Sequence, residues 1–455
     1  MKTTIGYGCE KAGSEKTHGA PLGADVITAM KKQLGMNAEA KFAIPTAVKQ
    51  MFEAHGSVGN AMCTQWEKML HNYEQQFPDL GKELSRRLQG KLPADWKSCL
   101  PSYDPGTSKA AATRVYSGEC LKALVNKLPE LVGGCADLAP SCNTKHVDDF
   151  QDSNPTGRYL RFGVREHAMA GICNGMMSYA QNNAKYGNSF MTLPYCATFA
   201  VFYGYAWGSV RLSALSKFPV LYIGTHDSID LGEDGPTHQP VEVLQLMRAT
   251  PNFLAIRPAD GNETAGAYQC WLENQTRPTA IILSRSTAPH VVGTDKDKVA
   301  KGAYVVSDSV EPPEIILSAS GQEVDLMMKA KKILAEKNIK KVRVVSFPCW
   351  ELFAEQTKQY QESVLPKKTF KVYCESCSTS FGLEKYADSV ICMSSFGASA
   401  PGGKLKEEFG FTAEKVAAKV MKDFEEHNKS SDNYGTTSSS AFHPSKREIV
   451  RLRTE

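Results

Sequence analysis

PVLYIGTHDSIDLGEDGPTHQPVEVLQLMRATPNFLAIRPADGNETAGAYQCWLENQTRPTAIILSR, residues 219–285, decides the fold. Three short runs within it, PVLYIGTH, FLAIRPA and TAIILSR, are apolar with β-branched residues. Two longer stretches, VEVLQLMRAT and ETAGAYQCWLENQ, separate them and carry helical patterning. Strands that are apolar throughout are buried on both faces, and helices between them make the sheet parallel. The reading is α/β. The loop HDSIDLGEDGPTHQP is polar and Gly/Asp/Pro-rich, so it cannot continue either element.

The same alternation extends upstream. LVGGCADL (131–138), RYLRFGV (158–164) and SFMTLPYC (189–196) read as strands. ATRVYSGECLKALVNKL (112–128), REHAMAGICNGMMSYAQN (165–182) and FAVFYGYAWGSVRLSALS (199–216) read as helices. Downstream a smaller α/β pattern begins, with strands at 304–307, 314–320, 342–348 and 371–376, and helices at 321–338 and 412–428. Residues 30–100 read as amphipathic helix, with Met51, Phe52, Met62, Trp66, Met69 and Leu70 among charged positions and Leu80, Leu84 and Leu88 at every fourth place. TTIGYG (3–8) reads as a buried strand and its turn. LPSYDPGTSKAA (100–111) groups Pro, Gly and Ser and marks a boundary. The expected layout is a strand end and helical linker at 1–100, a parallel-sheet domain at 101–295, a smaller α/β domain at 296–428 and a Ser/Thr-rich mobile tail at 429–455.

Composition narrows the class. The chain has 455 residues, 42% hydrophobic and 22% charged, which is globular and suggests about three domains. A net charge of +4, spread along the chain, gives no reason to expect nucleic acid or an anionic membrane as partner. No apolar run is long enough for a transmembrane helix, and the first residues lack a signal-peptide core. Thirteen cysteines form no disulfide framework, so a reducing, cytoplasmic setting is expected.

Ligands of open α/β sheets sit at the carboxyl ends of the strands. The loops there bring Asp137, Ser141, Arg165, Glu166, His167, His226, Asp227, Asp234, His238 and Arg285 to one rim. Guanidinium groups hold phosphate and imidazoles move protons, so this rim suits a phosphorylated, hydroxyl-rich ligand. Each residue also has a plainer reading. Glu166 could be a helix N-terminal charge, the two histidines solvated loop residues, and Phe199, Phe202, Tyr203 and Tyr205 simply core. The histidine spacing does not suit zinc, and the Cys374–Cys377 pair has no second pair to complete a metal site. Neither a Rossmann nor a P-loop signature stands in its required context.

RFGVREHAM, THDSIDLGEDGPTHQP, RPADGNE and the early HGAP together resemble the transketolase family, in the family's order, from about residue 3 to 428. The resemblance implies a thiamine-diphosphate enzyme that moves a two-carbon ketol unit from a ketose phosphate to an aldose phosphate. It also implies a fold with a central pyrimidine-binding domain and a smaller C-terminal one. Glu166 resembles the glutamate that hydrogen-bonds N1′ of the cofactor's aminopyrimidine, and a mostly buried carboxyl suits that task. Phe199, Phe202 and Tyr205 resemble the aromatic pocket around that ring. Asp137 and Leu138 resemble a loop at the cofactor and dimer interface, and His18 a histidine near the diphosphate and reacting carbons. Asp234 and His238 resemble the groups that bind the sugar's C1 and C2 hydroxyls, His238 also as a proton carrier. Arg114, Ser141, His226 and Arg285 resemble the set that holds the sugar phosphate.

The chain also departs from the family. Cys135 stands where a small residue is common, and Asp230 adds a carboxylate beside His226 that would weaken phosphate binding. The GDG…N motif that holds Mg²⁺ (or Ca²⁺) and diphosphate does not occur, so the implied metal has no ligands in this chain. An incomplete or split enzyme is therefore expected, a homodimer or a pair with a complementary pyrophosphate-domain chain. A dihydroxyacetone synthase-like ketolase and a non-catalytic dimerisation protein are the alternatives.

Overall fold

A computed structural model describes residues 1–181 and 191–434. The chain divides into two units, Met1–Glu83 and Leu84–Glu455. In the first, helices α1 (Ala24–Gln33) and α2 (Thr46–Gln76) have no buried residue. Helix α3 (Pro78–Leu88) spans the division in the chain. The helical reading of this region holds. The strand expected at TTIGYG does not form: residues 5–12 are turns, and Ile5 and Tyr7 are exposed. Gly6 and Gly8 adopt φ +64° and +89°, which no extended strand accommodates, and the unit's described residues offer no strand to pair with.

In the second unit the elements follow as β1 (Ala111–Ala112), α4 (Thr113–Lys127), β2 (Leu131–Cys135), α5 (Ala139–Cys142), β3 (Tyr159–Arg161), α6 (Glu166–Gln181), β4 (Leu193–Phe199) and α7 (Tyr203–Ser216). After them come β5 (Leu221–Thr225), α8 (Val243–Arg248), β6 (Leu254–Ile256), α9 (Gly261–Glu273), β7 (Thr279–Leu283) and β8 (Thr287–Ala288). Six of these strands form one sheet in the order β3-β2-β4-β5-β7-β6, every pair parallel. Strands β4, β5 and β7 are buried at every position, as apolar runs without alternation require. Leu121, Leu124, Tyr268 and Trp271 from α4 and α9 cover one face. Met169, Cys173, Ala206 and Val210 from α6 and α7 cover the other. The chain moves outward from β2 to β3, then crosses back to β4 on the opposite side. The loops leaving β2 and β4 therefore diverge and open a crevice between them.

The smaller sheet follows. It is built from β9 (Tyr304–Ser307), β10 (Ile315–Ala319), α10 (Glu323–Glu336), β11 (Val342–Ser346), α11 (Trp350–Ala354), α12 (Lys358–Val364), β12 (Phe370–Glu375), β13 (Ser389–Cys392), α13 (Gly402–Glu408) and α14 (Ala413–Tyr434). Its order is β13-β12-β10-β11-β9, parallel except where β9 runs against β11. Met327 and Leu334 of α10 and Val416 and Val420 of α14 pack on one face, with Trp350, Phe353 and Val364 on the other.

Some local expectations shift. The strand placed at SFMTLPYC forms further on, at Leu193–Phe199, and residues 189 and 190 lie outside the described residues. Helix α14 runs through the start of the expected tail to Tyr434, and residues 435–455 lie outside the described residues. No described helix is long and apolar enough to cross a membrane.

Candidate active site

The carboxyl edge of the six-stranded sheet gathers most of the expected residues. Strand β5 ends at Thr225, and His226 turns the chain with φ +60°. Its imidazole lies against Phe199 at the end of β4, ring centroids 3.6 Å apart and planes 24° apart. The stack continues from Phe199 to Phe202 (5.7 Å, 13°) and from Phe202 to Tyr205 (6.0 Å, 26°). His238, at the far end of the Gly/Asp loop, meets this ladder edge-on, 5.3 Å from Phe202 and 6.0 Å from Phe199. Aromatic rings favour stacked and edge-to-face pairs, so the two histidines and the ladder form one surface. Tyr205 is 72% exposed, and that area is open for a further flat ring.

Two guanidinium groups stand beside His226. Thr113 and Ser284 exchange hydrogen bonds, Thr113 N–H to Ser284 Oγ at 3.1 Å and Ser284 N–H to Thr113 Oγ1 at 2.7 Å. This joins the start of α4 to the end of β7 and fixes Arg114 near Arg285. Arg114 Nη1 donates to the Ser141 carbonyl at 2.6 Å, while its Nε is buried with no hydrogen-bond partner. Burial and the adjacent Arg285 cation lower the Arg114 guanidinium below its usual range. His226 is pushed down to about 3 by burial first, then by Arg114, Arg285 and His238. It is a neutral imidazole at physiological pH. Two cations held close with an unpaired buried N–H are what an anion such as phosphate would satisfy.

Glu166 begins α6 and is 8% exposed. Among the described residues its carboxylate meets no hydrogen-bond or ion-pair partner. A mostly buried acid left open in this way suits a ligand that brings its own hydrogen-bonding nitrogen, as the ring of an aminopyrimidine does. The residues present thus fit the ring half of thiamine diphosphate. Asp137 follows β2 in a left-handed conformation, φ +61°, and is exposed, with Leu138 half-buried beside it. A cavity of about 140 Å³ lies there, lined by Cys135, Asp137, Tyr159 and Arg161 among others. Asp234 is exposed on the Gly/Asp loop.

His18 is not joined to this set by anything described. It stands in the first unit, exposed, at the end of the 3₁₀ turn Glu15–Thr17. Asp230 differs from expectation, because its carboxylate is neutralised: Lys406 Nζ lies 2.7 Å away and the Ser286 hydroxyl donates to it. Lys406 lies some 176 residues beyond Asp230 and nothing local to either signals the pair. Thr113 carries no sequence signal beyond directly preceding Arg114, while Ser284 precedes Arg285 in a loop that follows a strand. Cys374 and Cys377 are both buried, and burial holds their thiols well above the usual range.

Comparison with known proteins shows the chain's relatives. Residues 109–291 match the transketolase pyrimidine binding domain and residues 302–412 the transketolase-like C-terminal domain. Residues 1–93 match the transketolase thiamine diphosphate binding domain. The chloroplastic transketolase of Solanum tuberosum is 46% identical over 92% of this chain and 56% of its own length. That of Craterostigma plantagineum is 45% identical over 92% of this chain and 80% of its own length. Among solved structures, a Pichia stipitis transketolase in complex with sedoheptulose-7-phosphate has TM-score 0.88 and 40% identity, covering 94% of this chain and 63% of that one. A split gene transketolase, described as an inactive beta4 tetramer, has TM-score 0.55 and 25% identity, covering 69% of this chain and 98% of that one. The chain thus spans just over half the length of several curated relatives. With identity near 45% over four-fifths of one of them, and the pyrimidine-binding and C-terminal models matched in succession, the chain belongs to the transketolase family.

Proposed function

We propose that this chain supplies the aminopyrimidine and sugar-phosphate sides of a transketolase site. The reaction is reversible transfer of a two-carbon ketol unit from a ketose phosphate to an aldose phosphate, in carbohydrate metabolism. The observation that carries this reading is the ladder His226–Phe199–Phe202–Tyr205 flanked by Arg114 and Arg285. It supports reading a flat apolar face for the cofactor ring beside an anion-seeking one.

Thiamine diphosphate, when bound, supplies the carbon nucleophile and electron sink that ketol transfer needs. The chain's own residues do the rest. Glu166 would hydrogen-bond N1′ of the aminopyrimidine. Phe199, Phe202 and Tyr205 receive the ring, and Asp137 and Leu138 border it. Asp234 and His238 bind the sugar hydroxyls, and His238 takes and returns a proton at a hydroxyl oxygen. Arg114 and Arg285 neutralise the phosphate charge. Neutral His226 and Ser141 contribute hydrogen bonds there, not charge. His18 is assigned to the diphosphate side.

The described residues contain no group of three His, Cys, Asp or Glu side chains suited to a cation. No step is assigned to Mg²⁺ or Ca²⁺ here; residues 1–93 match part of the thiamine diphosphate binding domain, and we propose that a second chain completes the ligands for metal and diphosphate. The likeness to a split gene transketolase that is inactive as a tetramer supports a complementary chain. Exposed Ile172 and Tyr179 on α6, and Tyr205, Leu212 and Leu215 on α7, form an apolar face next to Glu166 that supports a homodimer. A cytoplasmic setting is supported by thirteen free thiols.

The test mixes the chain with a separately expressed transketolase pyrophosphate domain, thiamine diphosphate and Mg²⁺, and follows ketol transfer between a ketose and an aldose phosphate. Activity only in the mixture is expected. No activity together with no association between the chains would overturn the split reading. Profiling donors and acceptors of the active mixture separates transketolase from a dihydroxyacetone synthase-like ketolase.

A further inference from the structure

We propose that Arg257, the arginine of RPADGNE, is a positioning residue for the phosphate side of the site, acting through Asp227 on His226. The proposal rests on the reading of His226 as a sugar-phosphate group.

His226 holds a left-handed backbone, φ +60°, which a residue with a side chain keeps only when its surroundings enforce it. The ring is held by Phe199 on one face and by Thr225 Oγ1, 2.9 Å from Nδ1. The backbone is held by the next residue. Asp227 is 3% exposed, and its Oδ2 accepts from Arg257 Nε at 2.8 Å. Arg257 is itself 1% exposed and held through Nε and Nη1, while its Nη2 is buried with no hydrogen-bond partner. Its Nη1 donates to the Ser320 carbonyl at 2.7 Å and to Glu323 Oε2 at 2.6 Å. Its own N–H donates to the Pro348 carbonyl at 2.9 Å, and its carbonyl accepts from Gly321 N–H at 3.1 Å. Gly321 has φ +62°, and a Cβ there would fall 2.4 Å from the guanidinium carbon. The C-terminal sheet is thus shaped around this cation, and the cation faces the loop that carries His226.

Electrostatics makes the clamp selective. Burial raises the Asp227 carboxyl, and nearby Glu323 and Asp230 push the same way, while Arg257 opposes them. Without Arg257 a buried carboxylate would either take up a proton or turn toward solvent. Either change relaxes the residue adjoining His226. A brace between two sheets could equally be built from apolar side chains. A forked cation shared by Asp227 and Glu323 adds a fixed direction, and that direction sets the loop.

The test uses the full chain with R257K, R257M and the paired D227N/R257M, all with ¹³C-labelled histidine. Three quantities are read: melting temperature, the NMR titration of His226, and affinity for inorganic phosphate by calorimetry. The expected result is that R257K, which keeps the charge and loses the fork, remains folded yet binds phosphate about tenfold more weakly. In R257M and the pair, His226 titrates upward from about 3 toward its ordinary value as the loop relaxes, even where the pair recovers the melting temperature. Unchanged His226 titration in folded R257M and in the folded pair, or undiminished phosphate affinity in folded R257K, would reduce Arg257 to a structural brace and overturn the proposal. If the unaltered chain binds no phosphate, the reading of the phosphate site fails by itself, and the His226 titration still decides the role of Arg257.

Discussion

The imidazole of His226 lies flat on the ring of Phe199, centroids 3.6 Å apart, and burial first, then the nearby Arg114 and Arg285, keeps it neutral. A residue that could carry charge beside the two arginines is thereby made a hydrogen-bonding group, and positive charge is left to the arginines.

That relationship has a stability consequence. The folded-state value of His226 is about 3, below its ordinary value near 6.5, so the unfolded chain binds a proton that the folded chain refuses. Stability from this group is complete above pH 6.5 and falls as pH drops from there toward 3, by about 1.4 kcal/mol per pH unit for one proton. Chemical denaturation at pH 5, 6 and 7 should show H226Q with a pH slope shallower by one proton. An unchanged slope would mean that His226 is not neutral in the folded chain.

Arg114 lowers His226 and, in the proposed site, binds phosphate, so one substitution should move both. In R114Q the His226 titration should rise, and affinity for inorganic phosphate should fall at least tenfold, about 1.4 kcal/mol. Melting should change little, because Arg114 donates only to the Ser141 carbonyl and its Nε already lacks a partner. Calorimetry and histidine NMR on the same sample decide it. A fall in affinity without any movement of His226 would separate the two roles.

How much of this was legible in the sequence depends on range. The alternation of β4, α7, β5, α9 and β7 is a local periodicity, and the loops rich in His, Asp and Arg follow from where those strands end. TTIGYG misled because β-propensity describes fit to a neighbouring strand, and this segment has none among the described residues. Strand β13 and helix α13 were missed for being short and partly exposed, and the pairing of β1 with β8 involves only two residues from each. Asp227 and Arg257 both sit in recognisable motifs, yet their contact crosses 30 residues and depends on Glu323 at the start of α10. A sequence pattern shows which residues are unusual. It does not show which of them touch.

The seam behind the Gly232–His238 loop is sensitive to a single methyl group. Gln239 is 1% exposed and its Nε2 donates to the carbonyls of Gly232 and Ala398, at 3.0 and 2.9 Å. A Cβ on Gly397 would fall 1.8 Å from its Oε1. G397A should therefore displace Gln239 and destabilise the chain by about 1–3 kcal/mol. The loop from Gly232 to His238 should become more susceptible to limited proteolysis. G403A, with nothing within 4 Å of its added carbon, is the control and should melt like the parent.

Glu166 offers the sharpest separation between a plain reading and a functional one. If it serves only as a negative charge at the start of α6, then E166Q should lower stability by about 0.3–1 kcal/mol and leave the assembled enzyme's turnover nearly intact. If it holds the proton on the aminopyrimidine, the amide cannot replace it. Ketol transfer should then fall by about 100-fold or more, with melting unchanged or slightly raised because a mostly buried, unpartnered carboxylate has been removed. The second pattern is expected, since no described group pairs with this carboxylate and 92% of the residue's surface is covered. Turnover of the E166Q mixture within a few-fold of the parent would return Glu166 to the helix dipole and leave the aminopyrimidine without its acid in this chain.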